Sequence, residues 1–294
     1  MRTTRVVFLA AALSCGAAWG QAAHNLPSTS PWVTAKAGVA AGKVEEFQLD
    51  NETYGKPRRI WVYTPAGYDA KRGAPYDLLV AFDGEEYVGE DIPLPTILNN
   101  LIEAGKSTAM VAVLIDNASG PARLADLANS ARFADFLGNE VVPWVRKNYN
   151  VTHEAQRTIV TGSSAGGLGS AYVAYKRPDL FGNVLAQSGA FWRGNEASND
   201  APYEWLTAQY KASARLPVKF YLEVGAMETH RAVGIGPVFI EANRRLRDVL
   251  KQKGYTVSYA EVPGAQHEPG HWRNHLADGL LWLTQDWMTG SPAK

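Results

Sequence analysis

Cysteine is almost absent from the 294-residue chain, since Cys15 is the only one. It lies in an N-terminal segment that we expect to be removed, which leaves the mature protein without a thiol. This excludes a disulfide framework, a thiolate metal site and a cysteine nucleophile. Lipidation at Cys15 is disfavoured too, because the preceding residues Ala-Leu-Ser fit poorly ahead of a lipidated cysteine.

An excess of one charge is also absent, since Lys and Arg together number 29 and so do Asp and Glu. No basic stripe suggests a nucleic-acid partner, and no acidic block suggests a solvating tail. Hydrophobic residues make up 46% of the chain, which argues against wholesale disorder. The composition is that of a globular protein that binds no nucleic acid.

The apolar run VVFLAAAL near the N-terminus is too short to span a bilayer. Two arginines precede it and the small residues GAAWGQAA follow, which is the pattern of a cleaved signal peptide. We therefore expect residues 1–22 to be a signal peptide and residues 23–43 to be a loosely structured lead-in. The protein is predicted to be exported, either to the periplasm or into the medium, with no stable membrane insertion after cleavage.

Strand and helix signals alternate over residues 44–290, which we expect to form a single catalytic domain. KVEEFQL and RRIWVYT predict an antiparallel strand pair. YDLLVAFDG, AMVAVLIDN, RTIV, NVLAQSG, VKFYLEVG and TVSYAEV are typical of short strands, and the polar stretch NASGPARLADLANS predicts a loop. The alternation predicts an α/β fold, a three-layer sandwich around a mostly parallel sheet. Ligands of such sheets bind at the carboxyl ends of the strands.

The frame G-x-S-x-G occurs around Ser164, within the stretch TGSSAGG. A strand before it and a helix after it are the context of a nucleophile elbow. Ser163 fails the same frame, because Thr161 and Ala165 flank it at the required positions. The N–H of Ala165 and the helix N-terminus would stabilise developing negative charge. A phosphate-binding loop is excluded, since no Lys-Ser or Lys-Thr follows at the required spacing.

A serine nucleophile needs a base, and in α/β-hydrolases an acid and then a histidine follow the serine. His267 lies in VPGAQHEPGHW directly after TVSYAEV, whereas His275 falls within the expected last helix. HEPGH also satisfies the zinc motif H-E-x-x-H, which requires both histidines on one continuous helix. Proline and glycine inside a helix cost roughly 3 and 1 kcal/mol. We therefore expect a loop, a helix that begins near Trp272, and no metal or other cofactor.

The acid is expected just past the strand VKFYLEVG. Glu228 is the candidate, and Glu223 is a weaker rival because it falls within the strand. The second oxyanion donor of α/β-hydrolases comes from a loop after an earlier strand. Here FDGEEY supplies that loop, and the backbone N–H of Glu85 is the candidate.

These motifs resemble the Putative esterase family of the α/β-hydrolases, most closely its esterase D and enterochelin-esterase-like branch. The resemblance covers about residues 40–288 and includes R-x-W-V-Y-T-P-x-G-Y-D, L-L-V-x-F-D-G-E, R-L-A-D-L, G-S-S-A-G-G and G-A-Q-H-E-P-G-H-W-R. It implies Ser164 as nucleophile, His267 as base and Glu228 as acid, while some members of the branch work with a Ser–His dyad. Arg123 matches a family segment near the site. Glu268 replaces the aspartate that usually follows the histidine.

Together these features predict a serine carboxylic ester hydrolase that acts through an acyl-enzyme on a small-molecule or saccharide ester. Siderophore esters are the first expectation, and feruloyl or acetyl-xylan esters are the alternative. An acyltransferase on the same triad and a silenced hydrolase that only binds its ligand are the remaining hypotheses. Arg123, Trp192 and Trp272 are the candidate substrate-binding residues.

Overall fold

The computed structural model describes residues 29–117, 120–194, 203–231 and 236–288. The predicted signal peptide with Cys15, the first residues of the predicted lead-in and the last residues of the predicted domain lie outside the described residues. The rest of the lead-in lies against the domain, because the backbone oxygens of Trp32 and Thr34 both accept hydrogen bonds from the Asn100 amide.

Eight strands of the described chain form one sheet. They are β1 (Lys43–Leu49), β2 (Arg58–Thr64), β3 (Asp77–Phe82), β4 (Met110–Ile115), β5 (Thr158–Ser163), β6 (Asn183–Gln187), β7 (Lys219–Gly225) and β8 (Thr256–Val262). Their order across the sheet is β1-β2-β4-β3-β5-β6-β7-β8. β2 pairs antiparallel with both β1 and β4, and the other neighbours are parallel. The predicted mostly parallel sheet with an N-terminal antiparallel pair is confirmed.

Helices connect the strands. They are α1 (Gly84–Val88), α2 (Leu94–Glu103), α3 (Gly120–Leu127), α4 (Ala131–Phe136), α5 (Val142–Asn148), α6 (Ala165–Lys176), α7 (Trp205–Ala212), α8 (Phe239–Gln252) and α9 (Pro269–Thr284). A π-helical turn joins α4 to α5, and a short 3-10 turn precedes β5. Within the described ranges, no helix has the length and apolar character needed to cross a membrane.

The side chains of the central strands alternate between two apolar layers. In β3, Leu78, Val80 and Phe82 belong to one buried cluster, which also contains side chains of α4 to α8. Leu79 and Ala81 belong to a second cluster, with side chains of α1, α2 and α9. Successive strand residues point to opposite faces, and both faces are covered by helices. The fold is therefore the predicted three-layer α/β sandwich.

Two local predictions were wrong. The polar stretch after β4 was expected to be a loop, but it contains α3, whose two buried residues Asp126 and Leu127 anchor it. The last helix was expected to begin near Trp272, but it begins at Pro269. Proline is favoured in the first helical turn, where its missing N–H has no intrahelical partner to lose. The polar composition of the stretch after β4 did not indicate a helix. In the second case, proline was expected to lie before the helix rather than to begin it.

The turn between β5 and α6 is packed backbone against backbone. A Cβ atom added to Gly162 would stand 2.6 Å from the carbonyl carbon of Gly166. The backbone of one element or the other would have to move to admit it, because protein interiors hold few voids. Glycine at this position is therefore required by the close approach of strand and helix.

We expect Gly162→Ala to lower the free energy of unfolding by about 1–3 kcal/mol, the usual cost of overpacking. Urea-induced unfolding measures the change. Gly73→Ala is the matched control, since nothing lies within 4 Å of a Cβ atom added there. Equal loss of stability in the two variants would contradict the packing argument.

Candidate active site

Four neighbouring parallel strands each lead to a polar side chain at the same edge of the sheet. Ser164 follows β5, Ser188 follows β6, Glu228 lies just past β7, and His267 lies in the loop after β8. The carboxyl ends of parallel strands meet at one edge, where open α/β sheets bind ligands. The topology therefore gathers residues that are far apart in sequence.

Ser164 occupies a strained turn. Its backbone has φ 57° and ψ −118°, a combination that residues other than glycine rarely adopt. The Ser164 N–H donates to the backbone oxygen of Gln187 over 2.9 Å, and its carbonyl oxygen accepts from the N–H of Ala190 over 2.9 Å. These two bonds, one to the end of β6 and one to the segment after it, hold the turn in its strained form at the N-terminus of α6.

A chain of side-chain hydrogen bonds links Ser164, His267 and Glu228. The Nε2 atom of His267 lies 2.9 Å from Oγ of Ser164, and its Nδ1 atom lies 2.7 Å from Oε2 of Glu228. A carboxylate only accepts, so Nδ1 carries the proton and Nε2 presents its lone pair to the serine hydroxyl. The rings of Phe239 and Trp272 contact the imidazole edge-on, at centroid distances of 4.7 and 5.0 Å.

Glu228 is buried, and each of its carboxylate oxygens has a donor. Besides the imidazole at Oε2, the Oε1 atom accepts from the Ser188 hydroxyl over 2.5 Å and from the Gly225 N–H over 2.8 Å. Burial acts to raise the pKa of Glu228, but the hydrogen bond and charge of His267 and the other two donors outweigh it, so the pKa lies below its ordinary value. The carboxyl group is therefore a stable anion beside the imidazole.

Sequence reasoning missed the residues that support Glu228. Ser188 has a left-handed backbone with φ 46°, and its hydroxyl oxygen accepts from the indole N–H of Trp272 over 3.0 Å. The only signal in the sequence is its place directly after β6, at the functional edge of the sheet. A serine there has many ordinary interpretations, so only the three-dimensional contact shows its role.

The rival residues lie elsewhere. Glu223 is within β7 and contacts His271, while His275 pairs with Asp278 on α9. His267 precedes α9 and His271 lies inside it, so the two histidines of HEPGH do not share a helix. Among the residues that the structure describes, no group of three or more His, Cys, Asp or Glu side chains is arranged to hold a metal ion.

Two helix N-termini frame Ser164. Ala165 is the first residue of α6 and Glu85 is the second residue of α1. Backbone N–H groups in the first turn of a helix have no intrahelical acceptor, so both are available to an incoming oxygen. Asp83, immediately before α1, has a left-handed backbone with φ 54° and is held by Arg123 through two hydrogen bonds of 2.6 Å.

A cleft of about 580 Å³ opens beside Ser164. Arg123 and Trp272, two of the three predicted substrate-binding residues, line it, but Trp192 is not among the described lining residues. The Trp192 ring lies instead 6.5 Å from that of Tyr203. The remaining lining residues are chiefly acidic: Asp83, Glu85, Glu86, Asp91, Gly120 and Asp116.

A mostly parallel eight-stranded sheet, helices on both faces and a strained serine turn after a central strand place the protein in the α/β-hydrolase class of folds. The chain belongs to the Putative esterase family, which matches residues 51–283.

The iron(III) enterobactin esterase of Dickeya dadantii (strain 3937) is a similar protein, 28% identical over 283 residues that cover 90% of this chain and 62% of that protein. The iron(III) enterobactin esterase of Escherichia coli (strain K12) is 29% identical over 244 residues, covering 82% of this chain and 57% of that protein. The chain thus spans about three fifths of the length of these relatives.

Solved structures show the same fold. The enterobactin esterase of Shigella flexneri, crystallised in the presence of enterobactin, has a TM-score of 0.75 and 28% sequence identity, covering 89% of this chain and 63% of that one. A ferulic acid esterase of Anaeromyces mucronatus in complex with ferulic acid has a TM-score of 0.68 and 23% identity, covering 89% of this chain and 97% of that one. The second likeness concerns the fold alone.

The lowered pKa of Glu228 predicts a pH-dependent contribution to stability. The carboxylate stabilises the folded state at pH values above the ordinary 4.5, and this contribution is lost as the pH falls through the lower folded value. We expect Glu228→Gln to be less stable than wild type by about 1–3 kcal/mol near neutrality. The difference should shrink in acid.

Urea-induced unfolding at neutral and acid pH tests this expectation. Glu90→Gln is the matched control, because Glu90 is exposed and its removal should leave stability unchanged at either pH. A stability difference for Glu228→Gln that stays constant between neutral pH and acid would contradict the assignment of a stabilising anion.

Proposed function

We propose that the protein is a serine carboxylic ester hydrolase that works through an acyl-enzyme. The observation that carries the proposal is the unbroken hydrogen-bonded chain from Ser164 through His267 to buried Glu228. A serine hydroxyl becomes a useful nucleophile when a positioned base takes its proton. Membership of the Putative esterase family and the similarity to iron(III) enterobactin esterases support the same reaction. An intact chain of this kind argues against a silenced hydrolase.

In the proposed first half-reaction, Ser164 Oγ bonds to the ester carbonyl carbon while His267 Nε2 accepts the hydroxyl proton. Glu228 keeps the ring in its tautomer and stabilises the imidazolium that forms. The N–H groups of Glu85 and Ala165 are the proposed donors to the carbonyl oxygen as it becomes negative. His267 then gives its proton to the leaving alkoxide oxygen as the ester C–O bond breaks.

The second half-reaction repeats these steps with water. His267 accepts a proton from the water as its oxygen bonds to the acyl carbon, and it returns that proton to Ser164 Oγ as the acyl–enzyme bond breaks. The products are a carboxylic acid and the regenerated serine hydroxyl. No step in this sequence needs a group beyond the residues named and the water.

We expect Ser164→Ala to lower kcat on a short p-nitrophenyl ester by roughly 10⁴-fold or more, because the nucleophile is lost. Ser163→Ala is the matched control, since Ser163 is the adjacent serine, is buried, and makes no contact with the imidazole of His267 in the hydrogen-bonded chain. It should retain most of the activity. Turnover by Ser164→Ala at a rate near that of wild type would overturn the assignment of the nucleophile.

The names of the relatives indicate a first candidate substrate. One structure of the Shigella flexneri enterobactin esterase was determined in the presence of 2,3-dihydroxy-N-benzoyl-serine, which carries a catechol ring. That structure is 27% identical to this chain, with a TM-score of 0.72. We therefore propose an aromatic ester of the catechol type as the first substrate class to test.

The charge of the cleft favours a neutral form of such an ester. Five carboxylates are among the described residues that line the cleft, and the guanidinium groups of Arg123 and Arg59 are paired with carboxylates of that set. Burial and the charge of Asp83 raise the pKa of Glu86, as expected for an acid in a negative environment. An anionic iron(III)–catecholate complex would be repelled here, whereas a metal-free catechol ester or a neutral feruloyl or acetyl ester would not.

We expect kcat/KM for the metal-free catechol ester to exceed that for its iron(III) complex by roughly tenfold at low salt, because each unscreened like charge costs on the order of 1 kcal/mol. The ratio should shrink as salt is added. It should also shrink in Glu86→Gln, and Glu90→Gln serves as an exposed control. Equal or faster cleavage of the iron(III) complex would overturn this preference. Methyl ferulate and acetylated xylan complete the panel.

A further inference from the structure

A second histidine–carboxylate pair is buried beneath the candidate active site. Glu223 on β7 is fully buried and His271 on α9 is 2% exposed. The Nε2 atom of His271 lies 3.1 Å from Oε1 of Glu223, but the geometry is not that of a hydrogen bond. The proposed ester chemistry uses neither residue. Burying a charged side chain costs free energy, so two buried titratable side chains in contact need a structural or functional reason.

The ring of His271 holds the loop that carries His267. Its Nδ1 atom lies 3.1 Å from the backbone oxygen of Gln266, the residue just before His267. A carbonyl oxygen only accepts, so Nδ1 carries a proton and donates it. Because the loop after β8 turns directly into α9, this bond ties the loop to a ring fixed in the core.

The contact with Glu223 requires one more proton. With Nδ1 already protonated, a neutral His271 would present the Nε2 lone pair to a carboxylate oxygen, which is repulsive. The 3.1 Å contact is attractive only when a proton resides on Nε2 or on the carboxyl group of Glu223. The second oxygen of Glu223 has no hydrogen-bond partner among the described residues, so the polar side-chain contacts of this carboxylate converge on Oε1.

Gln187 connects the pair to the rest of the site. Its side-chain amide donates to Glu223 over 2.9 Å and to the backbone oxygen of Trp272 over 2.8 Å. Its own backbone oxygen accepts the N–H of Ser164. The pair thus lies in one buried polar network that reaches the serine turn on one side and the histidine loop on the other.

We propose that His271 is a positioning residue for His267: its ring is held in the core beside the buried carboxylate of Glu223, and its Nδ1–H fixes the backbone of Gln266. This inference rests on the proposed hydrolase function of the site. It assigns the second histidine of HEPGH a role in orientation. Loss of the His271 ring would release the loop from its hydrogen-bonded position.

Other titratable groups surround the pair. His275 of α9 packs its ring 5.5 Å from that of His271 and pairs with Asp278. The hydrogen bond that His275 donates to Asp278, together with the charge of Glu223, raises the pKa of His275. Burial raises the pKa of Tyr221 on β7, and the charge of Glu223 adds to that effect. Glu228 lies beyond Ser188 on the opposite side.

Three variants test the proposal with a p-nitrophenyl ester as the probe. His271→Leu removes both contacts and should lower kcat at least about tenfold with little change in KM, because a displaced base slows proton transfer and leaves binding intact. His271→Asn can still donate to the backbone oxygen of Gln266 and should recover most of the lost kcat. Glu223→Gln removes the charge that faces Nε2 but leaves the bond from Nδ1 to Gln266 in place, so its kcat should fall less than that of His271→Leu. His153→Gln, an exposed histidine, is the control.

A readout independent of turnover is the downfield NMR signal of the Nδ1 proton of His267. It should vanish in Glu228→Gln, broaden or shift in His271→Leu and return in His271→Asn. If the wild-type protein has no esterase activity, the proposed function is wrong. The NMR series would still show whether His271 positions His267. Wild-type activity together with an unchanged kcat and NMR signal in His271→Leu would overturn this inference alone.

Discussion

The buried carboxylate of Glu228 is the interaction on which the arrangement of the site depends. An ion that has lost its water needs a donor at each oxygen, and the hydroxyl of Ser188, the N–H of Gly225 and the imidazole of His267 supply them. These donors come from the ends of three neighbouring strands. Meeting the needs of one anion therefore sets the relative position of the ends of β6, β7 and β8, and with them the imidazole that contacts Ser164.

The contacts around Ser164 hold its strained backbone conformation in place. Ser164 and Ser188 both have positive φ angles, and they stand on adjacent strands whose following segments are hydrogen-bonded to each other. Such conformations persist only where the neighbouring structure over-determines them. The close contact of Gly162 with Gly166 acts in the same direction, because it leaves the turn no room to relax.

The sheet and the order of serine, acid and histidine could be predicted from the sequence, because strands of apolar residues and a G-x-S-x-G frame are local patterns. The helix α3 could not, since its polar composition hides two buried anchors that only tertiary packing creates. Ser188, Gln187 and His271 were missed for a related reason. Their roles consist of contacts between residues distant in sequence, and no spacing rule connects a residue at the end of β6 with one inside α9.

The order of strands also separates two groups of candidate site residues along the sheet. Ser164, Glu228 and His267 follow β5, β7 and β8, whereas the acidic residues of the cleft and Arg123 follow β3 and β4 on the other side of the β3–β5 seam. In the proposed reaction, the groups that transfer the proton and form the acyl bond thus belong to the C-terminal half of the chain, and the charged groups of the cleft belong to the N-terminal half. Substitutions in the N-terminal half can therefore retune which ester is accepted while the proton-transfer geometry of the C-terminal half stays intact, which makes selectivity and turnover separately adjustable traits.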